Sequence, residues 1–310
     1  MSEPMLKSDI LCCPICKNDL KETKKFLFCK YCKKNYPIKN RVIKIIPNLS
    51  EDLELSIKKW DRIYFDQLTS KSYNQEYKNY KKFYRKDTLD QLNIEKKINK
   101  KMVYLEIGCG SFFLGQDLAD KTKLVIGIDI CPSALTIAKK MLDEKGISNY
   151  LLIQGDILNL PIKKDLIDLI YGGGVIEHFK NTQKCVNELF RVLKKGGVSF
   201  NSVPYLNIGS ITYRQLWGNI PNAPILKQMA EFIHIKLLQS RHMTFGYEMS
   251  FLASTLKKIH RCAGFNNIKV DKFRVKIVFN FLPNLLKPIF IWLATNSKLF
   301  WPMVKVVAEK

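Results

Sequence analysis

Hydrophobic and polar positions divide the 310-residue chain into stretches of different period. From residue 101 onward, apolar β-rich runs alternate with helical ones. Strands are predicted over residues 101–107, 123–128, 150–154, 166–171 and 198–203, and helices over 112–121 and 132–145, with a third ending in Leu189–Gly197. This alternation predicts an α/β fold, a parallel sheet with helices on both faces. Upstream, residues 49–100 read as a polar, mostly helical connector. Tyr73, Tyr77, Tyr80 and Tyr84 recur there at spacings of four, three and four, which puts them on one helix face, with Lys78, Lys81, Lys82 and Lys86 between or beside them. Packing against the next domain is what such spacing serves and is the favoured reading. Stacking on single-stranded RNA is the other.

Towards the end the pattern loosens. Residues 206–250 read as an insertion before the last strands, carrying Arg214, Trp217, Arg241, His242, Tyr247 and Glu248. His234 and His260 look like ordinary helix residues. Residues 276–310 are apolar and basic. Their longest uncharged runs, 277–286 and 288–297, are ten residues each and are flanked or interrupted by Pro283, Pro288 and Pro302. A span needs about 20 apolar residues, so no transmembrane helix is expected. This segment reads either as an in-plane membrane contact with snorkelling lysines or as a last strand plus a covering helix.

Charge sharpens the division. Lys and Arg total 51 against 28 Asp and Glu, a net charge of +23. Residues 101–205 hold 13 basic and 11 acidic side chains, whereas residues 1–100 hold 23 and 13 and residues 206–310 hold 15 and 4. The excess lies on the flanks, where it would attract phosphate in RNA or anionic lipid. A general Lys, Asn and Ile bias is the alternative.

Nine cysteines are present, and four form two pairs, Cys13-x-x-Cys16 and Cys29-x-x-Cys32. Residues 1–11 lack the apolar run of a secretory signal, so a reducing, cytoplasmic setting is expected, in which paired cysteines bind metal more often than they form disulfides. Two knuckles offer four thiolates, a tetrahedral set suited to structural Zn²⁺. About 40 residues cannot bury enough core alone, so the metal would contribute folding energy. Cys12 is the spare thiol.

The first strand of the α/β region runs into Glu106-Ile107-Gly108-Cys109-Gly110, where glycines let a ligand approach the carboxyl edge of the sheet. A dinucleotide fingerprint needs a glycine at Phe113, and it fails there. The second strand ends at Asp129, 21 residues after Gly108, where a carboxylate can accept both ribose hydroxyls. The third leads to Gly155-Asp156-Ile157, an acceptor for an adenine amine beside an apolar contact. The fourth leads to Gly172-Gly173-Gly174 and then Glu177-His178.

The ordered pieces LEIGCG, GIDI, GDILNLPI, DLIDLIYGGGVIEHF and FRVLKKGG, over residues 101–205, resemble the class I S-adenosylmethionine (SAM)-dependent methyltransferases. The likeness is strongest to the type 11 family, which includes ubiquinone and menaquinone C-methyltransferases. Residues 8–48, with CPxC, CxxC and Tyr36-Pro37-Ile38, resemble the small zinc-ribbon family whose free-standing member activates methyltransferases. Together these imply a Rossmann-like class I methyltransferase sheet preceded by a zinc ribbon. The implied organisation is a ribbon over residues 1–48, the connector over 49–100, a methyltransferase domain over 101–275 with its insertion at 206–250, and the C-terminal segment over 276–310. By resemblance, Glu106, Gly108 and Gly110 flank the methionine portion of SAM. Asp129 and Ile130 lie at the ribose, Asp156 and Ile157 at adenine, and Gly172 approaches through its backbone. Phe112 stands where the family often has a small residue and would crowd the methionine end.

SAM carries the activated methyl, so the protein must align an acceptor and, for a hydroxyl or carbon acid, supply a base. His178 is the candidate base; shaping the pocket rim is its other reading. The favoured acceptor is a small molecule, a lipid-linked compound or a glycan, with peripheral contact at the inner face of the membrane. An RNA methyltransferase gripping substrate through the ribbon, and a non-catalytic activator or binding module, are the alternatives.

Overall fold

A computed structural model describes residues 7–46, 51–243, 246–279 and 282–310, without the side chains of Lys7 and residues 51–56. The ends of the ribbon stretch, the start of the connector, residues 244–245 of the insertion and part of the 277–286 apolar run lie outside the described residues. The chain forms two compact units. The first comprises Met1–Tyr171, Glu188–Val198 and Lys310, and the second Gly172–Asn187 and Ser199–Glu309.

The first unit contains β1 (Lys21–Glu22), β2 (Phe26–Cys29), β3 (Lys34–Lys39), β4 (Val42–Ile45), β5 (Val103–Ile107), β6 (Leu124–Asp129), β7 (Tyr150–Gly155) and most of β8 (Ile167–Gly173), in the spatial order β1-β2-β3-β4-β7-β6-β5-β8. Strands β4 to β8 pair in parallel. Every residue of β5 is buried, as an apolar run covered on both faces requires. From β5 the chain moves to β6 and β7 on one side, then returns to β8 on the other. The carboxyl end of β5 is therefore a topological switch point, where open α/β sheets bind ligands.

The N-terminal hairpins are built onto this sheet. β3 and β4 are antiparallel, and β4 pairs in parallel with β7 through Val42–Ile45 and residues 152–155. Cys12 N donates to the Pro161 carbonyl at 3.0 Å and Lys163 N to the Ile10 carbonyl at 2.9 Å. The spare cysteine thus lies in an inter-segment bridge.

The connector forms helices Glu51–Ser70, Tyr73–Phe83 and Arg85–Glu95. The tyrosine stripe packs inward. Tyr73 joins Ile137 and Met141 in a buried cluster on which Tyr64, Leu68, Tyr77 and Phe113 pack. The Tyr80 hydroxyl donates to Asp117 at 3.1 Å, and Arg85 pairs with the same carboxylate at 2.9 Å. Lys78, Lys81, Lys82 and Lys86 stay exposed.

One boundary differs from expectation. The Thr182–Val192 helix stops before the LKKGG run, and β9 spans Leu193–Pro204, five residues earlier than the pattern suggests. The cause is long-range pairing: Gly196 N donates to the Lys310 carbonyl at 2.7 Å and Lys310 N to the Gly197 carbonyl at 3.0 Å.

In the second unit the strand order is β9-β13-β12, where β12 (Asn266–Phe273) and β13 (Met303–Glu309) are antiparallel. β10 (Asn219–Pro221) and β11 (Glu248–Ser250) form a separate parallel pair. The C-terminal segment contains both a helix, Lys287–Asn296, and the strand β13. Among the described residues no helix is long and apolar enough to cross a membrane.

Candidate cofactor site and cysteine cluster

At the switch point the chain turns through Gly108 (φ 54°) and Gly110 (φ 51°), a left-handed backbone in which a side chain is strained. The turn is held by Asp129 at the end of β6. Its carboxylate accepts the Gly110 N–H at 2.8 Å and the Cys131 N–H at 2.9 Å. Burial pushes the Asp129 carboxyl up from its ordinary value, and these amides oppose the shift. Glu106 is also buried. Burial pushes it up to about 8 against hydrogen bonds from the Tyr104 hydroxyl at 3.1 Å and the Gly115 N–H at 3.0 Å. The two acids face one loop, each fixed by backbone donors.

Phe112 does not stand over this loop. It adopts φ 57° and is fully buried. Its ring occupies the space that a Cβ on Gly115 would need, and it lies 3.1 Å from where a Cβ on Gly127 would stand. Two glycines thus make room for the ring in the core.

At the neighbouring strand ends, Ile130 is half-buried and its carbonyl accepts from Gln154 at 3.1 Å. Asp156 and Ile157 are buried. The Asp156 carboxylate caps its own turn, accepting Leu158 N–H at 2.9 Å and the Asn159 amide at 2.7 Å.

Two residues of the connector helix escaped the sequence reading. A Cβ on Gly110 would overlap the Tyr64 hydroxyl, so that phenol sits directly against the turn. Burial, with Asp129 the nearest charge, pushes Tyr64 well up from its ordinary value, so it remains a proton donor. Asp61 accepts the Ser133 N–H at 2.8 Å, in the first turn of the Pro132–Glu144 helix. No motif marks either residue; only packing brings Tyr64 to the glycine turn and Asp61 to the start of the Pro132–Glu144 helix.

In the second unit Gly172 is buried near the end of β8. His178 Nδ1 lies 2.8 Å from the Tyr247 carbonyl, which accepts, so the proton sits on Nδ1 and Nε2 is the basic nitrogen. Burial lowers its pKa. Glu177 is buried beside it, with Oε2 lacking a hydrogen-bond partner, and burial pushes its carboxyl well up. Sequence reasoning singled out neither that orphan oxygen nor the imidazole pair His242–His234, whose nitrogens are 2.9 Å apart. His234 in turn contacts Gln215 at 2.7 Å, so it is not an ordinary helix residue. Arg214 of the 206–250 insertion is buried and donates to the Pro302 carbonyl at 3.0 Å.

The four paired cysteines converge. Their Sγ atoms all lie within 4.8 Å of one another, with Cys13–Cys32 at 3.8 Å and Cys16–Cys29 at 3.6 Å. A disulfide requires about 2.05 Å. Zinc–sulfur bonds of about 2.3 Å in a tetrahedron put sulfurs roughly 3.8 Å apart, close to the spacing of those two pairs. Tyr36 Oη lies 3.2 Å from Cys13 Sγ, where its hydroxyl can support a thiolate.

A parallel α/β sheet with a glycine turn and acidic strand ends at its switch point defines a nucleotide-type cofactor fold of the methyltransferase class. The family described as "Methyltransferase domain" matches residues 98–221. A demethylmenaquinone methyltransferase of Lactococcus lactis is 33% identical over 180 residues, 54% of this chain and 67% of that protein. A malonyl-[acyl-carrier protein] O-methyltransferase of Priestia megaterium is 30% identical over 120 residues, 38% of this chain and 41% of that one. An uncharacterised methyltransferase of Bacillus subtilis is 31% identical over 30% of this chain and 37% of its own length. The chain thus spans about two fifths of several of the curated relatives it matches. It belongs to the S-adenosylmethionine-dependent methyltransferase family.

Solved structures repeat the fold at low identity. The Haemonchus contortus phosphoethanolamine N-methyltransferase 2, bound to phosphomonomethylethanolamine and S-adenosylhomocysteine, superposes with TM-score 0.51 at 17% identity, over 72% of this chain and 52% of that one. A chain from the complex of the Haloferax volcanii Trm112 methyltransferase activator with a methyltransferase gives 0.52 at 15%, over 78% of this chain and 97% of that one.

Proposed function

We propose that this chain transfers a methyl group from SAM to a small-molecule, lipid-linked or glycan acceptor. The observation that carries the reading is the switch-point turn, with Gly108 and Gly110 left-handed and Asp129 pinned by two backbone amides. A carboxylate so fixed is set for the paired hydroxyls of a ribose without reorganising. When bound, SAM supplies an activated methyl on a sulfonium.

The chain's own residues bind and orient. Asp129 with Ile130 takes the ribose, Asp156 with Ile157 the adenine, and Gly172 offers backbone. Gly108 and Gly110 leave room along the methionine portion. Glu106, with its carboxyl up at about 8, gives up its proton when an ammonium pairs with it. The Tyr64 phenol supplies a donor over the turn. In the second unit His178 accepts the acceptor's proton at Nε2, since Nδ1 is committed to Tyr247. Cys13, Cys16, Cys29 and Cys32 hold a structural Zn²⁺ that stiffens the hairpins extending the sheet.

Two observations support the acceptor class. The relatives' names give demethylmenaquinone and malonyl-[acyl-carrier protein] as acceptors. Tyr73 is buried and Tyr77 packs against its cluster, which favours the packing role of the stripe over stacking on RNA.

The test combines calorimetric SAM binding with methyl-labelled SAM supplied to the protein and an extract of cells lacking the gene. Label in the organic or small-molecule fraction is expected. Label in RNA would reverse the acceptor assignment, and no SAM binding would move the chain to a non-catalytic role. Metal analysis should find one zinc per chain, lost in Cys13→Ser.

A further inference from the structure

We propose that the second unit carries a docking face for an anionic lipid bilayer, centred on the Pro224–Glu231 helix and its π-helical continuation Phe232–Leu237. This goes beyond the methyltransferase reading and does not depend on it.

A helix on a protein surface normally buries its apolar stripe and shows water its polar one. Here the order is reversed. Ile225, Met229, Phe232 and Leu237, at spacings of four, three and five, are 74%, 56%, 59% and 67% exposed, and Ile233 is exposed beside them. The inward positions include Ala230 and His234. The preceding turn, Tyr213–Trp217, continues the pattern with Leu216 76% exposed. The same unit ties this insertion to the C-terminal segment: Asn207 donates to the Trp301 carbonyl at 2.6 Å and Arg214 to the Pro302 carbonyl at 3.0 Å. Upstream of that junction the Lys287–Asn296 helix exposes Trp292, a side chain suited to a membrane–water boundary. Apolar exposure on this scale marks an interaction surface.

Charge selects the occupant. Lys236 and Arg241 are exposed on or next to the stripe. The only acidic residue between 206 and 243 is Glu231, and it accepts the Tyr247 hydroxyl at 2.7 Å. From residue 206 to the end the chain has 15 basic and 4 acidic side chains. An apolar stripe with exposed cations and a single, hydrogen-bonded acid fits the acyl–headgroup boundary of an anionic leaflet. A second copy of the chain, paired about a two-fold axis, would instead set like charges together.

The experiment is sedimentation of the full chain with phosphatidylcholine vesicles, with and without phosphatidylglycerol, alongside SAM calorimetry. The wild type should bind the anionic vesicles, with affinity falling as salt rises. Phe232→Ser with Leu237→Ser should weaken that binding by about tenfold or more. Lys236→Gln with Arg241→Gln should reduce the salt dependence. All variants should keep wild-type SAM affinity, which shows that they are folded. No vesicle binding by wild-type protein that binds SAM would overturn the proposal, as would equal binding by the apolar variant. A dimer that dissociates in the Phe232 and Leu237 variant would reassign the face to a second copy. Vesicle binding without SAM binding would leave the docking face standing and remove the methyltransferase proposal.

Discussion

The Tyr73–Phe83 helix and the Pro224–Leu237 segment both carry apolar side chains at helical spacing, and they use them in opposite ways. In the first, Tyr73 is buried against Ile137 and Met141, while Tyr77 and Tyr80 meet the Phe113 ring at 5.2 and 5.6 Å. In the second, the stripe faces outward and only small or polar positions such as Ala230 and His234 turn inward. Periodicity declares that a face exists. What covers it depends on which neighbours the topology delivers, and the contrast separates a stripe that stabilises the fold from one that remains for a partner.

The strongest way to break this comparison is Tyr73→Ala, which should cost about 3–5 kcal/mol in urea unfolding because a large buried ring is lost. A loss under about 0.5 kcal/mol would mean that the connector is not part of the cooperative core.

Next is Asp129→Ala in the same unit. Removing an ionised acceptor that also orders the glycine turn should lower SAM affinity about 100-fold by calorimetry, roughly 2.7 kcal/mol, and leave vesicle binding untouched. Unchanged SAM affinity would remove Asp129 from the site.

A smaller effect, taken per pH unit, is the pH dependence of the ligand-free protein. Glu106 titrates at about 8 when folded, above its ordinary 4.5, so the folded state holds the proton more tightly. Its unfavourable contribution is absent below 4.5 and grows as pH rises towards about 8, by at most about 1.4 kcal/mol per pH unit. Glu106→Gln should flatten a stability–pH curve between its ordinary 4.5 and about 8, measured by chemical denaturation. Parallel curves would refute the assignment.

The smallest expected change is Ile225→Ser, within about 0.5 kcal/mol of wild-type stability in thermal melts. A larger loss would show that the outward stripe is already covered by the chain itself.

Much of the first unit was readable in advance. The strands around Glu106, Asp129 and Asp156 fall within a few residues of expectation, because buried parallel strands need unbroken apolar runs and their ends need glycine and acid at fixed separations. The cysteine cluster was equally legible, since two CxxC pairs can converge on one point without help from the rest of the chain. The early start of β9 was not, because Gly196 and Gly197 pair with Lys310, more than a hundred residues away. Nor were Tyr64 and Asp61, which reach the glycine turn and the start of the Pro132–Glu144 helix from a helix whose local sequence reads only as polar.

By itself the sequence determined the α/β alternation, the two cysteine knuckles, the acidic strand ends and the periodicity of each apolar stripe, because these are local: they depend on residues a few positions apart. Only the tertiary structure decided that Phe112 fills the space left by Gly115 and Gly127, that one stripe is covered while the other is bare, and that Glu177 keeps a buried oxygen without a partner. Those outcomes depend on which distant segments meet, and burial and hydrogen-bond satisfaction are properties of that meeting, not of any short stretch of chain.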